Sequence, residues 1–307
     1  MDPQHSAIVI INSLRSIHSP ALKRWLAKGD LIRQDPASLA DRVLNAIDFH
    51  GGMDSPAAHR LLGQTGEAPE GWIAAADPVY LEPRLDHLCL HSLGATMRDG
   101  ELSQLFDHLQ ATLGDTAEFL SVGACGYLKT AAMPLSDIEP DALHGYVPDR
   151  FLPEGEGVDV TRRLQSEIEM ALHDHPVNLR RQANQLQPVN ALWLWGGGAM
   201  NASVRPDLPA LHADDPLLRG FWTASSGSAS GWSESLSDVS RQGGVAVVPE
   251  DDALGAEERL ETIRVAFARG RVRQLRLLTR DGFCLKSSRR AQWKFWRRDI
   301  DLSGGLV

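Results

Sequence analysis

The chain has 307 residues, 43% of them hydrophobic and 23% charged, which is enough apolar material for one large or two ordinary globular domains. Its longest apolar runs, residues 7–11 and 189–195, fall far short of the roughly 20 residues that cross a bilayer, and the N-terminus lacks a basic region leading into an apolar core. Both features point to a cytoplasmic protein with no membrane span.

The net charge of -9 hides an asymmetry: between residues 259 and 298 there are thirteen Lys or Arg against two acids, a local balance of +11, so the remainder sums to -20. Cys89, Cys125 and Cys284 are far apart, odd in number and form no C-x-x-C pair. They support neither a disulfide framework nor a thiolate zinc site, and are expected as buried thiols.

In chain order, the β-branched run 6–13 predicts a strand, followed by helices over 21–28, 36–47 and 55–64. Residues 64–70 form a loop. Residues 71–79 and 85–91 read as two strands of a hairpin turning around Glu82 and Pro83, since proline inside a strand would lose a ladder bond. Asp77 and Pro78 end the first strand at a sheet edge, where an aspartate commonly starts a turn. Leu102, Leu105, Phe106, Leu109 and Leu113 keep helical spacing over 100–113, with Asp99 as cap. One or two strands follow in 118–130, around Gly123 and Gly126. The Pro-, Gly- and acid-rich stretch 134–157 predicts a loop or linker. It suggests an N-terminal α/β part (1–135), a linker (136–157) and a C-terminal α/β part (158–307), with one continuous domain as the alternative.

A helix is expected over 159–174 from the stripe Val160, Leu164, Ile168, Ala171 and Leu172, stopped by Pro176, which opens a second short helix through Arg181. His173 and His175 sit where the negative pole of the first helix favours them. Residues 189–195 are apolar enough for a strand buried on both faces in a parallel sheet, with Gly196, Gly197 and Gly198 as the loop at its carboxyl end. Helices over 216–224 and 256–269, a strand over 245–248 and a strand pair in 274–286 turning at Asp281 and Gly282 complete the pattern. The fold class is α/β: a mixed, largely parallel sheet flanked by helices.

A glycine loop after a parallel strand lets backbone amides approach a phosphate, so Gly196, Gly197 and Gly198 are ligand-binding candidates. Asn201 stands where a dinucleotide fingerprint needs its third glycine, and no P-loop motif occurs. The run 227–231 imitates a nucleophile elbow but has Ala229 at its centre, without an attacking oxygen. His175, Asn178, Arg181 and Asn190 gather hydrogen-bonding groups beside the apolar strand. Such a set binds a phosphate or carboxylate, or else ties a loop to the sheet. The tail RRAQWKFWRR, with Arg289, Arg290, Trp293, Lys294, Trp296, Arg297 and Arg298, is suited to gripping a polyanion such as nucleic acid, lying on an anionic membrane, or docking on the acidic body.

The stretch HPVNLRRQANQLQPVNALWLWGGG resembles the HPxN-x-x-R-x-x-x-G-x-x-P-x-N segment of archaeal-type cofactor-independent phosphoglycerate mutases in the alkaline phosphatase superfamily. It is more similar still to their divergent bacterial relatives, the RpfE-type regulatory proteins. In that family a WxxADPVxL-like segment (GWIAAADPVYL here), an N-E-x-Q-M-like helix (SEIEM), a Trp-x-Trp-Gly strand end and a basic aromatic tail recur in this order, so the resemblance runs from about residue 70 to 298. Gln185 departs from the motif's glycine, and Trp195 replaces the arginine before the glycines.

The resemblance implies a reduced, alkaline-phosphatase-like fold. Mutases of this superfamily use two divalent metals on aspartates and histidines plus a phosphoryl-accepting serine. This chain shows no N-terminal Asp-Gly metal motif, and His212 is its last histidine. The leading expectation is therefore a non-catalytic regulatory or binding protein without cofactor, whose partner is a protein or phosphorylated ligand. One alternative is a phosphoglycerate mutase or phosphatase holding Mn or Mg on Asp77, His173, His175 and Asp214 or Asp215. The other is a nucleic-acid accessory protein acting through its tail.

Overall fold

The computed structural model describes residues 6–34, 37–49, 51–114, 117–200, 208–233, 236–249 and 256–297. In chain order the elements are β1 (Ser6–Ile11), α1 (Pro20–Leu26), β2 (Asp30–Arg33), α2 (Leu39–Ala46), α3 (Pro56–Thr65), β3 (Trp72–Pro83), β4 (Leu88–Ser92), α4 (Glu101–Leu113), β5 (Glu118–Val122), β6 (Cys125–Lys129), α5 (Val158–Leu172), α6 (Pro176–Ala183), β7 (Ala191–Ala199), β8 (Leu211–His212), α7 (Pro216–Ala224), β9 (Ala229–Ser230), α8 (Ser237–Gln242), β10 (Gly244–Val247), α9 (Ala256–Ala268), β11 (Gln274–Thr279) and β12 (Phe283–Ser288). They divide into two compact units, one of Met1–Gly52 with Ala202–Val307 and the other of Met53–Asn201.

The first unit is built on a seven-stranded sheet in the order β2-β12-β11-β1-β10-β8-β9. β1 lies between β10 and β11, parallel to both, and all six of its residues are buried. This is the behaviour of a β-branched run covered on both faces. The strand pair expected over 274–286 is the hairpin β11–β12, and β2 extends it as an antiparallel edge, so the sheet is mixed but largely parallel. Ser19 caps α1 at Leu22, with Pro20 at the first helical position, and Leu22, Trp25 and Leu26 face the core. On α9, Leu260, Ile263, Ala266 and Phe267 recur at helical spacing and are buried. Trp25 and Phe267 meet edge to face at 5.9 Å.

The second unit is organised by an antiparallel sheet around β3, which pairs with β6 near its start, with β4 near its end and with β7 along 72–79. Ala74, Ala76, Leu102, Leu105, Phe106, Leu109, Ile168, Leu172, Leu192 and Leu194 make its core. α4 has the predicted stripe, although its cap is Gly100 in the left-handed conformation instead of Asp99. On α5 the buried stripe is narrower than expected, with Val160 59% exposed.

Several expectations give way to this topology. β7 is antiparallel to β3, and Gly196, Gly197 and Gly198 belong to the strand instead of to a loop at its end. β3 runs on through Asp77 to Pro83, whose ladder position opposite Leu88 is the last before the turn, so the turn falls at 84–87 with Arg84 N–H donating to His87. The stretch 136–157 is no linker. Ser136 bridges to Trp195, its carbonyl accepts from Gly196 N–H at 2.8 Å, the Ile138 carbonyl accepts from Trp193 Nε1 at 2.8 Å, and Leu143 is fully buried. Backbone polar groups that find partners in a sheet bind a segment into the unit, whatever its composition. The division of the chain accordingly falls at 52–53 and 201–202 instead of near 136–157.

Candidate functional site

In the second unit, α6 carries three of the predicted residues. His175 is its N-cap, with Nδ1 accepting from Val177 N–H at 3.2 Å. Its ring packs on His108 at 4.9 Å between centroids. Burial, then the His108 and Arg180 charges, hold the imidazole pKa below its ordinary value. One turn on, Asn178 is buried and all three of its hydrogen bonds go to backbone: Nδ2 donates to the Leu172 and Val189 carbonyls and Oδ1 accepts from Val189 N–H, each at 2.8 Å. It ties the end of α5 to Val189, just before β7.

Arg181 has no exposed surface and is surrounded by acceptors. Nη1 meets Glu101 Oε2 at 2.5 Å, Nε donates to the Gln187 carbonyl at 2.8 Å, and Nη2 donates to Thr96 Oγ1 at 3.0 Å. Asn190 imitates a strand neighbour, with Oδ1 accepting from Leu81 N–H at 2.8 Å and Nδ2 donating to its carbonyl at 2.9 Å. The amides and the arginine are thus engaged by the fold.

The three glycines have packing roles. β3 advances two residues from Ile73 to Ala75 while β7 moves three, from Gly198 to Trp195, so β7 is bulged, and Gly196 takes φ +62° there. A Cβ on Gly197 would lie 2.3 Å from the Trp72 ring, and one on Gly198 would lie 2.8 Å from the Asp54 carbonyl oxygen.

Asp77, far from starting a turn, lies mid-strand and buried. It accepts from Arg60 Nη1 at 2.6 Å and Nη2 at 3.0 Å, from Trp195 Nε1 at 2.7 Å and from Gly126 N–H at 3.3 Å. Arg60 also donates to Tyr127 Oη and stacks over the Tyr127 and Trp195 rings. Burial opposes the Arg60 charge, and Asp77 with its neighbours more than offsets that, so its pKa is raised. Burial likewise pushes the Tyr127 hydroxyl up. Sequence reasoning missed this cluster. Its only local trace was an aspartate inside the apolar run of β3, which a buried strand tolerates when a cation from elsewhere pairs with it.

A cavity of about 390 Å³ opens beside α6, lined among others by Glu169, His173, Asp174, Asn178, Gln182 and Asn190. It brings Asn178 and Asn190 together but adds two carboxylates and no Lys or Arg, a poor lining for a phosphate. Burial raises the Glu169 carboxyl. His173 is largely exposed beside Asp174. In the first unit, Asp214 accepts from Trp232 N–H at 2.9 Å and Asp215 caps α7 at Leu218.

The cationic lining is in the first unit. A groove of about 1140 Å³ collects Arg289, Arg290, Trp293 and Arg297 from the tail with Arg24 and Lys28 at α1 and Arg264 on α9. Its lining includes no carboxylate, and among the described residues no acid pairs with Lys28, Arg289 or Arg290. Trp293 and Phe295 stand 78% and 76% exposed. Lys294 and Arg297 instead dock on Asp30, each at 2.9 Å, and hold its carboxyl below the usual range. Trp296 is exposed outside the groove lining, and Arg298 lies outside the described residues.

The molecule is thus a mixed α/β protein of two units, one with a largely parallel sheet and a cationic groove, the other with an antiparallel sheet and a buried polar network. No protein-family model matches it. In sequence it is similar over part of its length to phosphoglycerate mutases. It is 28% identical over 126 residues to a probable 2,3-bisphosphoglycerate-independent phosphoglycerate mutase of Geobacter sulfurreducens, covering 39% of this chain and 31% of that protein. It is 34% identical over 73 residues to the 2,3-bisphosphoglycerate-independent phosphoglycerate mutase of Methanothrix thermoacetophila, covering 24% and 17%. The similarity therefore spans less than a third of these relatives' length. Among solved structures, a cofactor-independent phosphoglycerate mutase from Thermoplasma acidophilum superposes over 92% of this chain and 90% of its own at 16% identity and TM-score 0.40. A protein from Pyrococcus horikoshii covers 93% and 88% at 13% identity and TM-score 0.44.

Proposed function

We propose that the chain is a non-catalytic relative of cofactor-independent phosphoglycerate mutases, of the RpfE-type regulatory kind within the alkaline phosphatase superfamily, with a cytoplasmic regulatory or binding role. One observation carries this reading: the polar residues of its mutase-like segment spend their hydrogen bonds on the fold. Asn178 and Asn190 bond to backbone and Arg181 to Glu101, Thr96 and the Gln187 carbonyl, while Asp77 neutralises Arg60. A carboxylate holding a buried guanidinium is a costly one to divert to a metal. Of the donors expected for Mn or Mg, Asp77, His173 and His175 form no group of metal-ligating side chains within 4.8 Å of one another among the described residues, so they do not fit such an ion. The test is a mutase assay with manganese and 3-phosphoglycerate. Turnover should stay at background; manganese-dependent turnover at one or more metals per chain, abolished by Asp77→Asn, would overturn the reading.

A second reading, a nucleic-acid accessory role or capture of another phosphorylated ligand, is favoured by the groove of the first unit. Lys28, Arg289 and Arg290, which pair with no acid among the described residues, stand beside exposed aromatic rings and suit phosphates and stacked bases. Binding of labelled single-stranded DNA should weaken linearly in log salt, with a slope of about -0.7 per phosphate neutralised, and Arg289→Glu with Arg290→Glu should remove it. Salt-insensitive binding, or none, would reject this role.

A further inference from the structure

The hairpin of β3 and β4 places three metal-ligating side chains on one face. Glu82 and Cys89 are direct cross-strand partners, and His91 follows Cys89 by two residues, opposite Tyr80. Side chains at alternate positions of a strand, and those directly opposite on its neighbour, point the same way. One ligand atom from each of Glu82, Cys89 and His91 lies within 4.8 Å of the others, the only such group among the described residues. We infer that this hairpin binds a zinc ion through Glu82, Cys89 and His91.

The surroundings are those of a held site. His91 Nε2 already shares a hydrogen bond with Glu82 Oε2 at 2.8 Å, so an ion would take the place of that proton. The His91 ring is packed by Tyr80 at 6.2 Å and edge-on by His144 at 5.2 Å, which limits its rotation. Cys89 is 8% exposed, while the His91 and Glu82 side chains are 17% and 29% exposed, so the thiol is sheltered and one side stays open to solvent. Arg84 binds the same Oε2 at 2.7 Å, and Oε1 has no partner among the described residues and can ligate. Zinc bonds of about 2.0 Å to nitrogen or oxygen and about 2.3 Å to sulfur set donors roughly 3.3–3.8 Å apart in a tetrahedron, within the span seen here. A thiolate, an imidazole and a carboxylate suit zinc better than Mg or Ca, and water would fill the fourth position. On binding, the thiol proton and the proton between His91 and Glu82 pass to solvent.

The site escaped the sequence reading because the spacing E-x6-C-x-H has no C-x-x-C or H-E-x-x-H signature; only the hairpin register assembles it. It does not depend on the proposed function: zinc uptake without mutase turnover leaves both standing.

The test uses the full chain, kept reduced without thiols, stripped by a chelator, then titrated with zinc against a chromophoric competitor and separately with cobalt. The expected result is one zinc per chain with a dissociation constant of roughly micromolar or tighter, and a thiolate-to-cobalt charge-transfer band. Cys89→Ser should abolish the band, and Cys89→Ser, His91→Gln and Glu82→Gln should each weaken zinc binding at least about tenfold. His87→Gln, in the same turn but outside the group, should bind as the parent does. Melting of each metal-free variant shows whether it folds, and the partly exposed Glu82 and His91 replacements keep the test intact if Cys89→Ser does not. Absence of stoichiometric zinc in the parent chain, or parental affinity in both Glu82→Gln and His91→Gln, would overturn the site.

Discussion

Replacing Asn178 by alanine separates a structural from a ligand-binding role for the mutase-like segment. The side chain supplies three 2.8 Å hydrogen bonds to the backbone of Leu172 and Val189, and both of those residues are fully buried. At about 1 kcal/mol net per bond, and with the freed carbonyls and N–H shielded from water, the loss should be about 3 kcal/mol. For a unit the size of Met53–Asn201, 1 kcal/mol moves the midpoint by about 2–4 °C, so a fall of roughly 6–12 °C is expected. Near-UV circular dichroism, reporting on Trp193 and Trp195 of the same unit, follows the melt. The urea midpoint should fall with the slope unchanged. Asn178→Asp should do at least as much harm, because a carboxylate would face two carbonyl oxygens where the amide now donates. A melting point of the alanine variant within about 1 °C of the parent would refute the assignment of Asn178 to the fold.

Further outcomes follow from the same unit. Asp77→Asn leaves the Arg60 guanidinium buried without its counter-charge and should cost about 3–5 kcal/mol in urea unfolding; adding Arg60→Leu should recover part of that, and strictly additive losses would count against the pair. Gly197→Ala pushes a methyl to 2.3 Å from the Trp72 ring and should destabilise by about 1–3 kcal/mol, where a flexible phosphate loop would show almost no change. His175 has a folded pKa below its ordinary 6.5, so its contribution is fully present above pH 6.5 and is lost as pH falls through the lower folded value. Urea midpoints between about pH 5 and 8 should therefore drop on the acid side, less steeply in His175→Asn, which keeps a capping side chain. An unchanged acid-side slope in that variant would assign the pH dependence elsewhere.

Much of the local structure was legible in residue pattern. The β-branched run of β1, the stripe Leu102, Leu105, Phe106 and Leu109 on α4, and Pro176 at the start of α6 each announce an element through forces acting within a few residues. β7 was recognised as a buried strand, but not its direction, because burial on both faces is compatible with either neighbour orientation. The proline- and glycine-rich stretch 136–157 concealed backbone groups that hydrogen-bond to β7, and composition says nothing about where such groups find partners.

The candidate site divides in the same way. Residue types and spacing single out His175, Asn178, Arg181 and Asn190, and the density of polar groups beside an apolar strand marks an arrangement of hydrogen bonds within the fold. Whether those bonds face a ligand or the chain depends on partners from far away in sequence, such as Glu101 for Arg181 and Leu81 for Asn190. The tail's charge and aromaticity were likewise visible in sequence, whereas its union with Arg24, Lys28 and Arg264 in one groove was not. Sequence by itself determined the types of the longer, strongly patterned elements and the polar inventory, because these follow from short-range periodicity and side-chain chemistry, whereas the short β2, β8, β9 and α8 left no such pattern. Tertiary structure alone decided strand direction, the pairing of Arg60 with Asp77 and the meeting of Glu82, Cys89 and His91, because each depends on a register between segments whose contact no local pattern encodes.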